Sequence, residues 1–351
     1  MKELWKGSEA MAESAVRAGC ELYAGYPITP QSEICEYMSA RMPQLGRAFI
    51  QAESELISIN TIMGGALAGA RCLTSSTGVG ISLMQEGITA CFAKGICPMI
   101  INVNRCGCGM GAQFTGSQDD YSRETRGGGN GYYRLLVYVP ESIQEAVDMV
   151  YDGWDIAEQY RNPVEIYTEG RLGQMVEAVK LPPFKEPRPR PDWAIDGTSK
   201  IMPDYYPMLP DHSVYLQRIE AMQEKEQQWE GFMVEDAETV LVAVGLTARV
   251  CKSVILALRE EGIKLGLLRP KTIWPFPEKG FVALPDCVER LVCVENSIGP
   301  EMLDDVLITA KKLPRFQNTP VYSSTHIELI PAPELTQFIR DILSGNIKEV
   351  G

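Results

Sequence analysis

The chain has 351 residues, 45% hydrophobic and 23% charged, a balance that excludes a largely disordered protein and suits two compact domains joined by a connector. Its formal net charge of -13, from 46 acidic against 33 basic side chains, opposes contact with nucleic-acid phosphates, and no cluster of Lys and Arg reverses this locally. No run approaches the ~20 apolar residues of a membrane span, and the first residues lack the apolar core of a signal peptide, so a cytoplasmic protein is expected.

The first half alternates apolar runs with helical periodicity. ELYAGYP reads as a strand, a helix starts near Pro30, and QAESELISINTIMGGALAGA reads as a helix with a small-residue surface. Next come the loop TSSTGVG, the helix ISLMQEGITACFAKG and the strand PMIINVN. RLLVYVP, the helix SIQEAVDMVYDGWDIAEQY and the strand NPVEIYTEG complete a doubly wound α/β domain over residues 1–180. Residues 181–235 carry LPPFKEPRPRPDW and MPDYYPMLPD, whose prolines oppose regular ladders and mark a connector. A second, smaller α/β domain over 236–351 follows from TVLVAVG, ARVCKSVILALREEG, KLGLLRP, RLVCVEN and ELTQFIRDILSG. The ten cysteines lie mostly in apolar or helical patterns, as reduced thiols do, and no C-x-x-C occurs. Any electron-carrying iron–sulfur cluster must therefore belong to another chain.

Four segments can carry chemistry. In GYPITP (25–30) a strand ends beside a helix start, so Thr29 either caps that helix or faces a ligand. Glu53 and Glu55 precede the small-residue run formed by Gly64, Gly65, Ala66, Ala68, Gly69 and Ala70. Such a carboxylate is either solvated at the helix start or desolvated against the apolar helix. TSSTGVG resembles an anion cradle at a helix N-terminus but lacks the lysine of a P-loop, which weakens a nucleotide-dependent enzyme as an alternative. Arg105 opens the glycine-rich loop RCGCGMGAQFTGSQDDY, where a planar guanidinium suits either a carboxylate ligand or a structural ion pair. Cys106 and Cys108 in C-x-C, with His212 and His326 as the two histidines, give no complete metal ligand set.

In order along the chain, GYPITP, TSSTGVGISLMQEG, RGGGNGYYRLLVYVP, YRNPVEIY with GRLGQM, and LGLLRPKTIWPFP with VCVEN resemble the alpha subunit of the 2-oxoacid:ferredoxin oxidoreductases. The branched-chain (2-oxoisovalerate) type is nearest, the 2-oxoglutarate type close behind. The resemblance implies a thiamin diphosphate pyrimidine-binding domain followed by a transketolase C-terminal-like domain. It also implies oxidative decarboxylation of a 2-oxoacid to an acyl-CoA, with coenzyme A as a substrate and ferredoxin as electron acceptor. By the spacing E-x8-G-A/G-x-x-A-G-A, the acid that activates the cofactor's aminopyrimidine corresponds to Glu55 rather than Glu53. Thr29 and Arg105 match positions that hold the substrate carboxylate. Tyr26, Pro27, Ile28, Ser76, Thr77 and Gly78 match the cofactor-binding turns.

In this family a beta subunit with a G-D-G…N motif holds the diphosphate and magnesium, and that motif is absent here. The [4Fe-4S] clusters belong to that beta subunit and to a ferredoxin-like delta subunit, and a gamma subunit completes the complex. The loop from Arg105 departs from the usual RGGPGLGN followed by Gln-Ser-Asp-Tyr, and Asn130 with Tyr132 replaces the His and Asp of GGGHGDY, which leaves substrate preference open. A non-catalytic scaffold subunit is the remaining alternative, and the position of Glu55 argues against it.

Overall fold

The structure, a computed structural model, describes residues 2–109, 118–195 and 212–350. The MPDYYPMLPD part of the connector and residues 110–117 of the glycine-rich loop lie outside the described residues. The chain opens with β1 (Glu3–Lys6) and α1 (Gly7–Arg17). Strand–helix units follow: β2 (Leu22–Gly25) with α2 (Ser32–Gln44), β3 (Ala48–Gln51) with α3 (Glu55–Leu67), and β4 (Cys72–Ser76) with α4 (Gly78–Lys94). Then come β5 (Met99–Asn104), α5 (Tyr121–Arg126), β6 (Leu136–Tyr138), α6 (Ile143–Tyr160), β7 (Val164–Glu169), α7 (Gly170–Gln174) and β8 (Val176–Val179).

Six of these strands, in the order β6-β7-β5-β4-β2-β3, form a parallel sheet. MIINVN is buried along its whole length, as expected for a strand covered on both faces by helices. The chain moves one way from β2 to β3 and the other way from β4 onwards. The reversal beside β2 and β4 is a topological switch point, and the strands' carboxyl ends there form the natural ligand crevice.

After β8, which pairs antiparallel with β1, the chain reaches α8 (His212–Lys225) and β9 (Trp229–Phe232). The second unit contains β10 (Thr239–Val242), α9 (Gly245–Glu260), β11 (Leu265–Pro270), β12 (Thr272–Trp274), α10 (Glu278–Val282), β13 (Arg290–Glu295), α11 (Met302–Lys312), β14 (Val321–Thr325) and α12 (Ala332–Leu343). Its sheet runs β14-β13-β10-β11-β9, parallel except for β9.

Two features differ from the sequence reading. The 181–235 connector holds a helix that buries Ile219 and Met222, i and i+3 on one face, and its final strand β9 edges the second sheet. β12, which belongs to the 236–351 region, leaves that region's sheet and pairs antiparallel with β6 of the first. One apolar core consequently runs through both halves, while a smaller one lies between α9, α12 and the outer face of the second sheet. Among the described residues no helix is long and apolar enough to cross a membrane. All ten cysteines are free thiols, and burial pushes Cys20 and Cys97 up to about 12, so neither is a thiolate nucleophile near neutral pH.

Candidate functional site

The residues that the resemblance assigns to the cofactor and substrate sit at the carboxyl end of the first sheet, beside the switch point. β2 delivers Tyr26, Pro27, Ile28 and Thr29; β4 ends at Ser76 and passes through Thr77 into α4 at Gly78; β5 delivers Arg105; and the turn after β3 delivers Glu55. Four separate strand ends converge because parallel strands all point their carboxyl ends the same way.

Glu55 is the first residue of α3, behind the N-cap Ser54, whose hydroxyl accepts from the Ile57 amide at 3.4 Å. The helix therefore begins four residues later than periodicity suggests. That start separates the two carboxylates: Glu53 stays outside the helix and exposed, whereas Glu55 is buried, 4% exposed. Its Oε1 lies 3.4 Å from the Ser76 hydroxyl, a long contact, and no other hydrogen bond reaches the carboxyl from the described residues. Gly80, in the first turn of α4, makes room for this pair. A Cβ there would collide with both Ser76 Oγ and the Glu55 carboxyl.

The small-residue run behind Glu55 is used in two ways. A Cβ at Gly65 would meet the Leu22 and Cys72 side chains, so this glycine lets α3 lie close on the sheet, while Gly64 faces open space. Leu56, Ile57 and, on α4, Leu83 are exposed beside it.

Thr29 does not cap α2. That helix starts at Ser32 with Gln31 in the N-cap position, and the Thr29 contribution is its carbonyl, which accepts from Arg105 Nη1 at 2.9 Å. Arg105 itself is 6% exposed. Burial lowers its pKa, and the charges of Asp120 and Glu55 oppose that fall. It forms no carboxylate ion pair among the described residues, so a buried cation with a planar fork has one carbonyl as its side-chain partner.

Thr77 occupies the N-cap position of α4 but makes no capping bond, and its hydroxyl is fully buried with no partner among the described residues. A buried hydroxyl left unbonded costs about 1–3 kcal/mol, and such costs collect where a ligand completes the bonding.

Three supporting groups escaped the sequence reading. Gln31 is fully buried and ties the turns together: its Nε2 donates to the Tyr26 carbonyl at 2.7 Å, and its Oε1 accepts from Ser75 Oγ at 2.6 Å. Asp120, its pKa raised by burial, lies beside Gly78. Arg123 donates to the Gly78 carbonyl at 2.9 Å. Gln31 follows GYPITP directly, where the sequence predicts the first turn of a helix starting near Pro30 and so gives no sign of a buried tie. Asp120 and Arg123 sit in the polar segment QDDYSRETR, which carries no periodic signal.

Tyr132, one of the departures noted above, is exposed and stacks on the Arg134 guanidinium 4.5 Å away, in a groove also lined by Ile273 and Trp274.

Comparison with known proteins places this geometry. The thiamine diP-binding family model of pyruvate flavodoxin/ferredoxin oxidoreductases matches residues 13–237, and that of pyruvate:ferredoxin oxidoreductase core domain II matches residues 237–323. The ketoisovalerate oxidoreductase subunit VorB of Methanothermobacter marburgensis is 41% identical over 313 residues, 87% of this chain and 88% of its own. The 2-oxoglutarate synthase subunit KorA of Methanocaldococcus jannaschii is 32% identical over 329 residues, 85% of this chain and 89% of its own. Among solved structures, the 2-oxoglutarate:ferredoxin oxidoreductase of Magnetococcus marinus, with 2-oxoglutarate, coenzyme A and succinyl-CoA bound, superposes with a TM-score of 0.81 at 20% identity. That match covers 97% of this chain, which spans 65% of the larger one. A split-gene transketolase, an inactive beta4 tetramer, matches at a TM-score of 0.61 and 14% identity over 97% of this chain and 98% of its own, and these two likenesses bear on fold alone. The fold is the doubly wound α/β domain of thiamin diphosphate proteins followed by a second α/β domain, and by sequence over most of its length the chain belongs to the 2-oxoacid:ferredoxin oxidoreductase family.

Proposed function

We propose that this chain is the alpha-type subunit of a 2-oxoacid:ferredoxin oxidoreductase and supplies the aminopyrimidine half of a thiamin diphosphate site. The reaction converts a 2-oxoacid and coenzyme A into acyl-CoA and carbon dioxide, with two electrons passing to ferredoxin. The likeness to VorB favours a branched-chain 2-oxoacid. The observation that carries the reading is that three buried groups at one switch point, the Glu55 carboxyl, the Thr77 hydroxyl and the Arg105 guanidinium, are only half satisfied among the described residues.

These groups fit the cofactor and its substrate. When bound, thiamin diphosphate supplies the nucleophilic carbon and the electron sink for decarboxylation. Glu55 would share a proton with the ring nitrogen N1' of the aminopyrimidine, a role for which its burial and its one long contact among the described residues leave it available. Tyr26, Pro27 and Ile28 on one turn, and Ser76, Thr77 and Gly78 on the other, would flank the ring, and the buried Thr77 hydroxyl, unpartnered among the described residues, would be available to bond it. Arg105 holds the substrate carboxylate while the Thr29 carbonyl steadies the guanidinium.

The sequence offers no G-D-G…N motif and no C-x-x-C. A beta subunit then holds the diphosphate, magnesium and a [4Fe-4S] cluster, with gamma and ferredoxin-like delta subunits completing a cytoplasmic complex. The purified chain and the co-expressed complex, compared by iron analysis and by viologen reduction with 2-oxoisovalerate and coenzyme A, test this division. Iron and turnover are expected in the complex alone. Stoichiometric iron or clear turnover in the lone chain contradicts it.

A further inference from the structure

The short segment Asp120–Arg126 has two faces with different attachments. Tyr121, Ser122 and Arg126 reach the second unit. The Tyr121 hydroxyl donates to Asp305 Oδ2 at 2.8 Å, the Ser122 amide donates to Glu301 Oε2 at 2.7 Å, and Arg126 grips Asp305 with two bonds of 3.0 and 2.9 Å. Asp120, Arg123 and Glu124 face the first sheet. Three and four residues apart on a helix lie on one side, so the segment separates these two sets by its own geometry.

On the sheet side Arg123 is the hub. It donates to the Gly78 carbonyl at 2.9 Å and the Ser82 hydroxyl at 3.0 Å, pairs with Asp120 at 2.9 Å and with Glu124 at 2.6 Å. Behind Glu124, Asn102 Nδ2 donates to Glu124 at 3.1 Å and to Glu165 at 3.0 Å. Burial, reinforced by the charge of Glu124, pushes Glu165 well above the usual carboxylate range. Burial alone would lower Arg123, but the facing Glu124, Asp120 and Glu165 raise it, and it stays charged. A fully charged fork joined to two carboxylates and a carbonyl is a stiff link, because moving any partner breaks a charge-assisted bond in a low-dielectric setting.

The carbonyl it grips belongs to the turn that matters. Gly78 follows Thr77, whose own carbonyl accepts from the Gly80 and Ile81 amides at 2.7 and 3.2 Å, and Ser76 just before it contacts Glu55. We propose that Arg123 is a positioning residue through which the second unit fixes the Ser76–Gly78 turn beside Glu55. The seat of α5 on α11 thereby sets the height of that turn over the carboxyl. Its kinetic consequence rests on reading Glu55 as the proton-sharing acid; the mechanical coupling does not.

The test uses Arg123→Gln and Arg126→Gln in the assembled complex. Arg126 is half exposed and its loss leaves the buried network intact, so this variant keeps the test valid even where Arg123→Gln fails to assemble. Deuterium uptake of the peptide spanning Thr77–Ile81 reads the coupling without reference to turnover. Arg126→Gln is expected to raise exchange there severalfold while peptides of α6 and α12 keep their wild-type rates. It should also lower kcat about tenfold with KM changed less than about twofold, since a small displacement of a reacting group costs rate more than binding. Unchanged exchange at 77–81, or a rise spread evenly over the chain, overturns the proposal. A complex that lacks 2-oxoacid turnover overturns the functional reading instead, and the exchange result still stands.

Discussion

Two clusters of buried charge are built from the same residue types and end in opposite states. At the seam between the two halves, Arg269 on β11 bonds Glu145 on α6 through two nitrogens at 2.9 and 2.8 Å and reaches Glu230 on β9 at 2.7 Å. Lys252 and Lys271 join the same network, through Glu141 and Glu230 and through Glu145 respectively, so three cations meet three carboxylates. At the switch point, by contrast, and among the described residues, Arg105 bonds one carbonyl, Glu55 makes one long contact and the Thr77 hydroxyl makes none. A chain that folds for stability alone matches its buried charges, because leaving one unpaired costs about 3–5 kcal/mol. Among the described residues the seam follows that rule and the switch point does not, the difference expected between a joint and a ligand site.

Substitutions can break this contrast from either side. The largest effect is expected at Glu55→Gln in the assembled complex, where kcat falls by roughly 10²- to 10⁴-fold, the usual contribution of a positioned proton-transfer group. The change is nearly isosteric, so subunit assembly, followed by co-purification, should survive. Arg105→Lys keeps the charge but loses the planar fork, and KM for the 2-oxoacid should rise about 10- to 100-fold while thiamin diphosphate affinity stays near wild type. Unchanged steady-state kinetics across several 2-oxoacids would return Arg105 to a structural role.

The seam answers to pH and stability instead of kinetics. Burial alone would raise Glu145, yet Arg269 and Lys271 together bring it down to about 2, well under its unfolded value of ~4.3. A carboxyl depressed in the folded state contributes stability that is fully present above the unfolded pKa and is lost as pH falls towards 2. Glu145→Gln should therefore cost about 2–3 kcal/mol at pH 7 in denaturant unfolding, with the gap to wild type narrowing below about pH 4.5. A gap of the same size at pH 3 would mean that Glu145 acts through packing and not through its charge.

The contrast also explains what could be read from the sequence. GYPITP, Glu55, TSSTG and Arg105 lie at strand ends, where the change from strand to helix periodicity is visible, and all four converge in the structure. The family resemblance points to Glu55 rather than Glu53 by its spacing to the small-residue run, and in the structure the helix starts at Glu55, which is buried while Glu53 is exposed. The seam was not legible. Its partners are 124 residues apart in Glu145 and Arg269, and the exchanged strand β12 lies in TIWPFP, where prolines suggest a loop. Thr29 does not cap α2, because the turn continues through Pro30 and Gln31 before that helix begins, while its carbonyl accepts from Arg105. Asp120 and Arg123 gave no sequence signal because their work is to hold a neighbouring turn and not to fill a periodic face.

The most direct test of the central claim compares the two neighbouring carboxylates. Hydrogen–deuterium exchange at C2 of the bound thiamin diphosphate, read by NMR after acid quench, isolates cofactor activation from decarboxylation and electron transfer. In the assembled complex, Glu55→Gln should slow that exchange by about 10²-fold or more, the scale of a lost proton-transfer partner. Glu53→Gln, at an exposed position outside α3, should leave it near the wild-type rate. Wild-type exchange in the Glu55→Gln complex would contradict the assignment of this buried carboxyl as the activating acid.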